Sequence, residues 1–572
     1  MKRMARATKT KDRSKYILGA GFLLLFMSFA CLTSLSQKSP TVDEFAQLPA
    51  GYYYWRTGDF SLYSKSPPLI KLLCALPLLT MDIRMDAGVS YPEAGAWRPW
   101  IFGTRFMRDN ADRYDTIFFW GRIPVLVLSI CLGGLVFLWG SELYGTMCGL
   151  VSLFLYTFSP NILAHARLAT TDIGATYFFF LSMYSLWRFL KFRRMRTLVV
   201  TGVCTGLALL CKYTALLLFP IFFSILAVSS WSENWKNGSG FNLLRNCLRN
   251  CINFLVIVVV AIFVINLGYG FCETGKPLRE IPHYSRLYRM LDRYPLRDIP
   301  IPLPAMYVQG FDLQKADAEQ GEFLNYLNGR FSSSGWWYYF IYAFFIKTPI
   351  PLQIGLLFSI LCMLKKGAQP RDELFLLTPI LAIFLVFSFL NHLDVGLRYV
   401  LPAFPFLFVW IGGLARVSVR HQFVQWGLIV LIAAYAWSAI SIFPHYLAYF
   451  NIWAGGPASG RFHLIDSNLD WGQDLKGLKC YMEENKIKDI GLAYFGHVDP
   501  KIYNISYHLI GKRPETGIIA ISSNYLQGMP YLITYTPKIV PVMPNTFKWL
   551  QGYKPIHSIG YSILIYRVSE IE

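Results

Sequence analysis

The feature that most limits what this chain can become is a series of apolar runs, several longer than the roughly 18 uncharged residues that mark a bilayer-spanning helix. The first extends from Tyr16 to about Leu35. Others lie near residues 116–140, 143–158, 170–190, 197–211, 213–229, 251–270, 337–363, 374–391, 396–415 and 421–443. About eleven helices are expected, and with them a polytopic α-helical membrane protein. Composition points the same way: 54% of the 572 residues are hydrophobic and only 15% charged, against about 25% charged in a soluble domain. A water-soluble enzyme is excluded.

The formal charge of +20 would suit nucleic acid if the basic residues shared one soluble face. They fall instead in short clusters between apolar runs, so no nucleic-acid partner is expected. With eleven spans, the basic N-terminus (Lys2 to Lys15) lies on one side with Lys191, Arg193, Arg194 and Arg196, then Lys236, Arg245 and Arg249, then Lys365, Lys366 and Arg371, then Arg416 and Arg420. The positive-inside rule makes that side cytoplasmic. The first run is expected to be a retained anchor, because it is long enough to span and no A-x-A cleavage pattern follows it.

An odd number of spans puts residues 444–572 outside, together with two long loops, 36–114 and 271–336. Long loops in compact proteins are usually functional. The expected division is a transmembrane domain over 1–443 and an outer domain over 444–572. From Pro444 the apolar blocks shorten to strand length at Ile490–Phe495 and Gly517–Ser522, while Asp474–Ile487 has helical periodicity. A small α/β domain follows from that pattern. Most of the eleven Cys lie in apolar runs as small hydrophobes, without disulfide or zinc spacing.

Candidate chemistry starts at Asp43-Glu44, just past the first span. Adjacent carboxylates beside a bilayer suit a general base, since partial desolvation raises a carboxylate pKa. The alternative is a capping sequence, Thr41-Val-Asp-Glu, opening a short helix. Lys65 and Lys71 flank a Pro-Pro pair before an interfacial helix, where they can meet a lipid phosphate or merely snorkel. His165-Ala-Arg-Leu-Ala-Thr-Thr-Asp172 marks a span mouth, with Asp172 at a helix N-terminus. Lys212 and Arg398 lie within or at the edge of spans, where a charge is functional by default or else forms a structural ion pair with a neighbouring helix. Trp336 and Trp337 open another span as an aromatic belt or a sugar-stacking pair. Walker, Rossmann and H-E-x-x-H signatures are absent.

Acids (Asp43, Glu44, Asp172) and cations (Lys65, Arg122, Arg398) thus gather on one face, away from the basic linkers. That asymmetry favours chemistry outside the cytoplasm, with a membrane-bound donor in place of a soluble nucleotide sugar. A transporter or lipid flippase without transferase activity is the alternative, marked by inverted repeats and acidic midplane residues. No repeat is evident, and the acids sit at helix mouths. A non-catalytic assembly subunit is a third reading.

Asp43-Glu44, Gly121-Arg-Ile-Pro124, Ala166-Arg-Leu-Ala-Thr-Thr-Asp172, Gly206-Leu-Ala-Leu-Leu-Cys-Lys-Tyr213 and Gly396-Leu-Arg-Tyr-Val-Leu-Pro-Ala-Phe-Pro405 together resemble the lipid-carrier-dependent glycosyltransferases of GT-C fold. The protein O-mannosyltransferase family, glycosyltransferase family 39, is most similar. Leu327 to Phe340, Lys347-Thr-Pro349 and Asp466-Ser-Asn-Leu-Asp-Trp-Gly-Gln-Asp474 resemble a subgroup with an added outer domain. The resemblance implies transfer of a hexose such as mannose, or a related sugar, from a polyprenyl-phosphate carrier to a protein, lipid or polysaccharide acceptor, with inversion. It implies no required cofactor, although clustered acids can bind a divalent cation. A bacterial inner membrane is expected in preference to an endoplasmic reticulum membrane.

By the same resemblance Asp43 is the base with Glu44 beside it, and Asp172 is a second acid of the site. Arg398 lies near the lipid phosphate, joined by Lys65, Arg122 and Lys212. His165, Arg167, Trp336, Trp337 and Tyr399 are the substrate-binding candidates. The related lipid A aminoarabinose transferases carry a Lys directly before their Pro, where this chain has Ser66 before Pro67 and Lys65 one place earlier.

Overall fold

The computed structural model describes residues 2–86, 97–237, 240–321, 324–366, 370–417, 422–536 and 538–569. Of the basic residues expected on the cytoplasmic side, Arg420 lies outside these, as do the side chains of Lys2, Arg3, Arg6, Lys9, Lys11, Arg13, Lys236, Lys366 and Arg371. Part of the expected loop 36–114, residues 87–96, lies outside them as well.

Among the described residues seven helices are long and apolar enough to cross a membrane. The number becomes eight if Tyr339–Lys347 and Ile350–Lys365, which meet at 116°, form one broken span. The difference from eleven has a physical basis. Thr146–Thr157 and Met195–Cys211 have 12 and 17 residues, short of a full crossing. Thr171–Phe192 has the length at 22 residues but carries Asp172, Arg188 and Lys191.

These shorter or more charged helices are held by neighbours. Gly202 and Gly206, one turn apart on Met195–Cys211, let that helix approach Gly240–Gly268 so closely that an added Cβ would meet Val260 and Val264 at 2.7 and 2.6 Å. Small residues at such a spacing permit the close packing that drives helix association in lipid. Trp139, fully buried, packs against Phe180, Trp187 and Phe406 from two other helices. The helix Gln422–Ile440, by contrast, exposes Phe423, Trp426, Ile429 and Val430. Water would not tolerate an apolar face of that extent; hydrocarbon covers it.

The C-terminal part carries a five-stranded sheet. Its order is Tyr507–Leu509, Ile490–Ala493, Gly517–Ser522, Ile563–Val568, His557–Ile559. The first three strands are mutually parallel and the last two join antiparallel. The helix Leu475–Glu484 precedes them, burying Leu475, Leu478 and Met482. This fits the short apolar blocks and the helical period of the sequence.

The carboxyl ends of the parallel pair Ile490–Ala493 and Gly517–Ser522 lead into Tyr494–His497 and Ser523-Asn524. In open α/β sheets that end is where ligands bind. Here it faces the loops between the membrane helices: Phe45 lies 5.4 Å from His497, and Val42 N donates to Trp471 O at 3.0 Å.

Candidate active site

Four segments meet at this junction. The helix Val42–Thr57 brings Asp43 in its first turn, and Thr171–Phe192 brings Asp172 in its own. The 3-10 turn Leu397–Ala403 brings Arg398 and Tyr399. Lys212 sits where Met195–Cys211 stops, in extended backbone before the 3-10 turn Tyr213–Leu217. An unwound residue between two helical pieces frees its side chain to reach sideways into the site.

The charges form a chain. Arg398 Nη1 donates to Asp43 Oδ2 at 2.7 Å and lies 3.9 Å from Asp172 Oδ2. Lys212 Nζ donates to Asp172 Oδ1 at 2.8 Å, and Thr170 Oγ1 to Asp172 Oδ2 at 3.2 Å. His165 Nδ1 stands 3.9 Å from Asp172 Oδ2. Tyr399 lies under Lys212 at 4.5 Å, and Trp471 lies under the Arg398 guanidinium at 4.3 Å. Aromatic faces favour cations at such distances. Asp172 is fully buried, whereas Asp43 keeps 20% of its side-chain surface. Asp43, Asp172, Lys212, Arg398, His165 and Tyr399 are therefore one constellation, although Arg398 and Asp43 are 355 positions apart.

Other expected members are elsewhere. Glu44 is fully buried, and Arg122 Nε and Nη2 donate to its two oxygens at 2.7 and 2.8 Å. Ala169 N, Thr41 N and Thr41 Oγ1 donate to Glu44 as well. Arg122 spends its remaining donors on the carbonyls of Leu35, Lys38 and Ser39. Burial alone would raise the Glu44 carboxyl, but the Arg122 charge and these hydrogen bonds hold it below the ordinary range. So occupied, Glu44 offers no free oxygen to take an acceptor's proton and Arg122 no free donor for a phosphate; the pair ties the loop after the first span to the bundle. The capping box at Thr41 and Glu44 is present, and Asp43 alone turns to the site.

Lys65 is paired with Asp317 at 2.7 Å, which replaces the expected free phosphate contact. Lys71 is buried and donates to Tyr63 O and Ser66 O at 2.8 and 2.5 Å, neither snorkelling nor open to a headgroup. Arg167 turns towards the first span, donating to Ser34 O and covering Tyr446. Trp337 is 58% exposed and stacked on Phe389 at 5.8 Å, the position of a belt residue. Trp336 is tied by its backbone N–H to Asp394 at 2.7 Å. Among the described residues no group of three or more His, Cys, Asp or Glu has a metal-holding arrangement.

The sequence reading missed Gln47, Tyr63, Lys347, Asp466 and Trp471 as site residues. Gln47 follows Asp43 by four positions, hence on the same helix face; that spacing was the available signal. Its Oε1 is buried without a hydrogen-bond partner. Tyr63 feels the charges of Asp43 and Arg398. Lys347 is buried and donates to the carbonyls of Leu447 and Asn468.

Part of this site, Asp172 and Lys212 with His165, lies within a stretch that matches a family model. The family model described as dolichyl-phosphate-mannose-protein mannosyltransferase matches residues 117–267. The matched stretch contains Arg122, His165, Arg167, Asp172 and Lys212. No curated protein matches the chain. Among solved structures, ArnT from Cupriavidus metallidurans bound to undecaprenyl phosphate is 12% identical, with a TM-score of 0.46 over 96% of this chain and 98% of that one. The archaeal oligosaccharyltransferase AglB from Archaeoglobus fulgidus, in complex with an inhibitory peptide and a dolichol-phosphate, is 11% identical, with a TM-score of 0.41 over 78% of this chain and 56% of that one.

Proposed function

We propose that this protein is an integral membrane glycosyltransferase that moves a sugar from a polyprenyl-phosphate carrier to a hydroxyl or amine acceptor on the extracytoplasmic side. The observation that carries the reading is the run Asp43, Arg398, Asp172, Lys212, in which two cations and two acids alternate at a protein-lined mouth. In the transfer, a bond forms between the anomeric carbon and the acceptor's oxygen or nitrogen. The bond from that carbon to the phosphate oxygen breaks, and its electron pair stays on the phosphate. A phosphodiester of charge about −1 becomes a monoester nearer −2, so the leaving group needs cations aimed at it. Arg398 and Lys212 are placed for that work. Asp43, the more exposed acid, takes the acceptor's proton, while buried Asp172 holds both cations in register.

The sugar is a hexose such as mannose, and the acceptor a protein, lipid or polysaccharide of the cell envelope. The prenyl chain lies between helices in the membrane. The purified protein in nanodiscs, given undecaprenyl- or dolichyl-phosphate mannose, is expected to consume the donor and form a covalent mannoside. Asp43→Asn should lose transfer by about 10²-fold or more while still binding the lipid phosphate. Wild-type turnover in Asp43→Asn would overturn the base assignment. Donor flux across the bilayer without a covalent product would overturn the reading.

A further inference from the structure

The segment 466–474 holds the transfer loop from the sheet side. Asn468 Oδ1 accepts from Leu397 N at 3.0 Å, and Ser467 Oγ donates to Val395 O. Asn468 Nδ2 donates to Tyr339 OH at 3.0 Å. Trp471 carries the Arg398 guanidinium on its face. Asn524, at the carboxyl end of strand Gly517–Ser522, accepts from Asp466 N at 2.9 Å and donates to Asp470 O at 2.9 Å. The segment is thus braced between the sheet and the loop that bears Arg398.

Within this brace Asp466 is unusual. It adopts φ +57°, in the left-handed region that Asp and Asn tolerate better than other side-chain-bearing residues. Such strain persists where the surroundings over-determine it, and it gathers at functional sites. One carboxylate oxygen accepts from Ser467 N at 2.6 Å. Among the described residues the other has no hydrogen-bond partner, although the side chain is only half-buried and lies within the fields of Arg398 and Asp43. Burial pushes its carboxyl up to about 6, with the Arg398 charge pulling it down and Asp43 pushing it up. Tyr531, bonded to His497 at 3.3 Å on the sheet side, feels both Asp466 and Asp43. Three buried polar atoms around the site, Gln47 Oε1, His165 Nδ1 and Arg398 Nε, have no hydrogen-bond partner. Unsatisfied buried groups call for an explanation, and a polar ligand resting among them supplies one.

The geometry points to Asp466 as a second carboxylate of the transfer site, contributed by the sheet domain, which accepts a hydrogen bond from the attacking group of the acceptor and aims it at the sugar. This rests on the transferase reading above. The 466–474 segment packs against the loop that bears Arg398 from the sheet side, through Ser467 on Val395 and Trp471 on the guanidinium, so the acceptor is received between the sheet and the helix mouths. The carrier phosphate lies on the Lys212 side. Asp43 takes the proton and Asp466 holds the nucleophile.

The test uses the full chain in nanodiscs with undecaprenyl- and dolichyl-phosphate mannose, and with water and a Ser/Thr-containing peptide as acceptors. Asp466→Asn keeps the left-handed backbone and the bond from Ser467 N, and removes the charge. Its kcat/KM for the acceptor is expected to fall about 10- to 100-fold, the loss of one charge-assisted hydrogen bond. Donor binding and thermal stability should stay as in wild type. The wild-type rate should also decline as pH falls through about 6, and Asp466→Asn should lack that limb. Asp466→Glu should recover part of the rate. Wild-type kinetics in Asp466→Asn, or a loss confined to donor binding or folding, would overturn the assignment of Asp466 alone. Failure of the wild-type protein to release sugar from either donor, to peptide or to water, would overturn the transferase reading beneath it.

Discussion

Asp43 and Glu44 are neighbours with opposite duties. On a helix, consecutive side chains point about 100° apart, so one looks into the site while the other looks into the bundle. Glu44 meets Arg122 there, and the pair is buried with every donor of the guanidinium in use. Breaking a buried pair from one side leaves an uncompensated charge and costs about 3–5 kcal/mol. Glu44→Gln should therefore lower the apparent Tm of the solubilised protein markedly, whereas Asp43→Asn should lower activity and leave Tm nearly unchanged. The carboxyl of Glu44 is held below its ordinary value in the folded state. Its contribution is present above the usual glutamate range, about 4.3, and is lost as pH falls through the lower folded value. The acid-side decline of Tm should be shallower in Glu44→Gln; an identical decline would refute the pairing energy assigned here.

At the scale of elements, the site depends on places where regular structure stops. Lys212 is presented by a helix break, Arg398 by a 3-10 turn, and Asp466 by a left-handed residue between short turns. Gly396, at φ +143°, leads into the Arg398 turn and lets Ser467 pack directly against its backbone. A side chain there would be strained and would push the 466–474 segment away. Gly396→Ala should cut transfer about 10-fold or more, since misplacement of about 1 Å at a reacting centre can cost 10²-fold. Insertion and the helix content seen by circular dichroism should be unchanged. Wild-type kcat in this variant would show that the segment does not set the position of Arg398. Two strands of the sheet, Ile490–Ala493 and Gly517–Ser522, and the helix Leu475–Glu484 were legible from short apolar blocks and helical period; Tyr507–Leu509, His557–Ile559 and Ile563–Val568 were not. The breaks were legible only in part: the sequence already divides 197–211 from 213–229 at Lys212, whereas the 3-10 turn that bears Arg398 lies inside the expected run 396–415, where only the packed neighbours decide that it unwinds.

For the whole molecule, the expected sidedness places the sheet domain and the 271–336 loop together outside the cytoplasm. Cys480, on the helix Leu475–Glu484, and Cys272 are both exposed free thiols. A membrane-impermeant maleimide added to intact spheroplasts should label both, and mass spectrometry of tryptic peptides would read it. Labelling only after lysis would invert the topology. The helix count shows the limit of hydropathy at this scale. Eleven apolar blocks are visible in the sequence, but Thr146–Thr157 and Met195–Cys211 are too short to cross unaided. Their neighbours, rather than lipid, cover much of their surface.

The sequence by itself determined the medium and the ingredients: apolar blocks that need a bilayer, basic clusters between them, acids and cations at helix mouths, and short apolar blocks of strand length near the C-terminus. Hydropathy and period are local properties, and the order of residues is enough to express them. Only the tertiary structure decided which acid meets which cation. Asp43 with Arg398, Asp172 with Lys212, and the 466–474 segment against Leu397 are contacts between parts of the chain far apart in sequence. Such contacts depend on helix phase and on where each helix breaks, and packing of the whole bundle sets both.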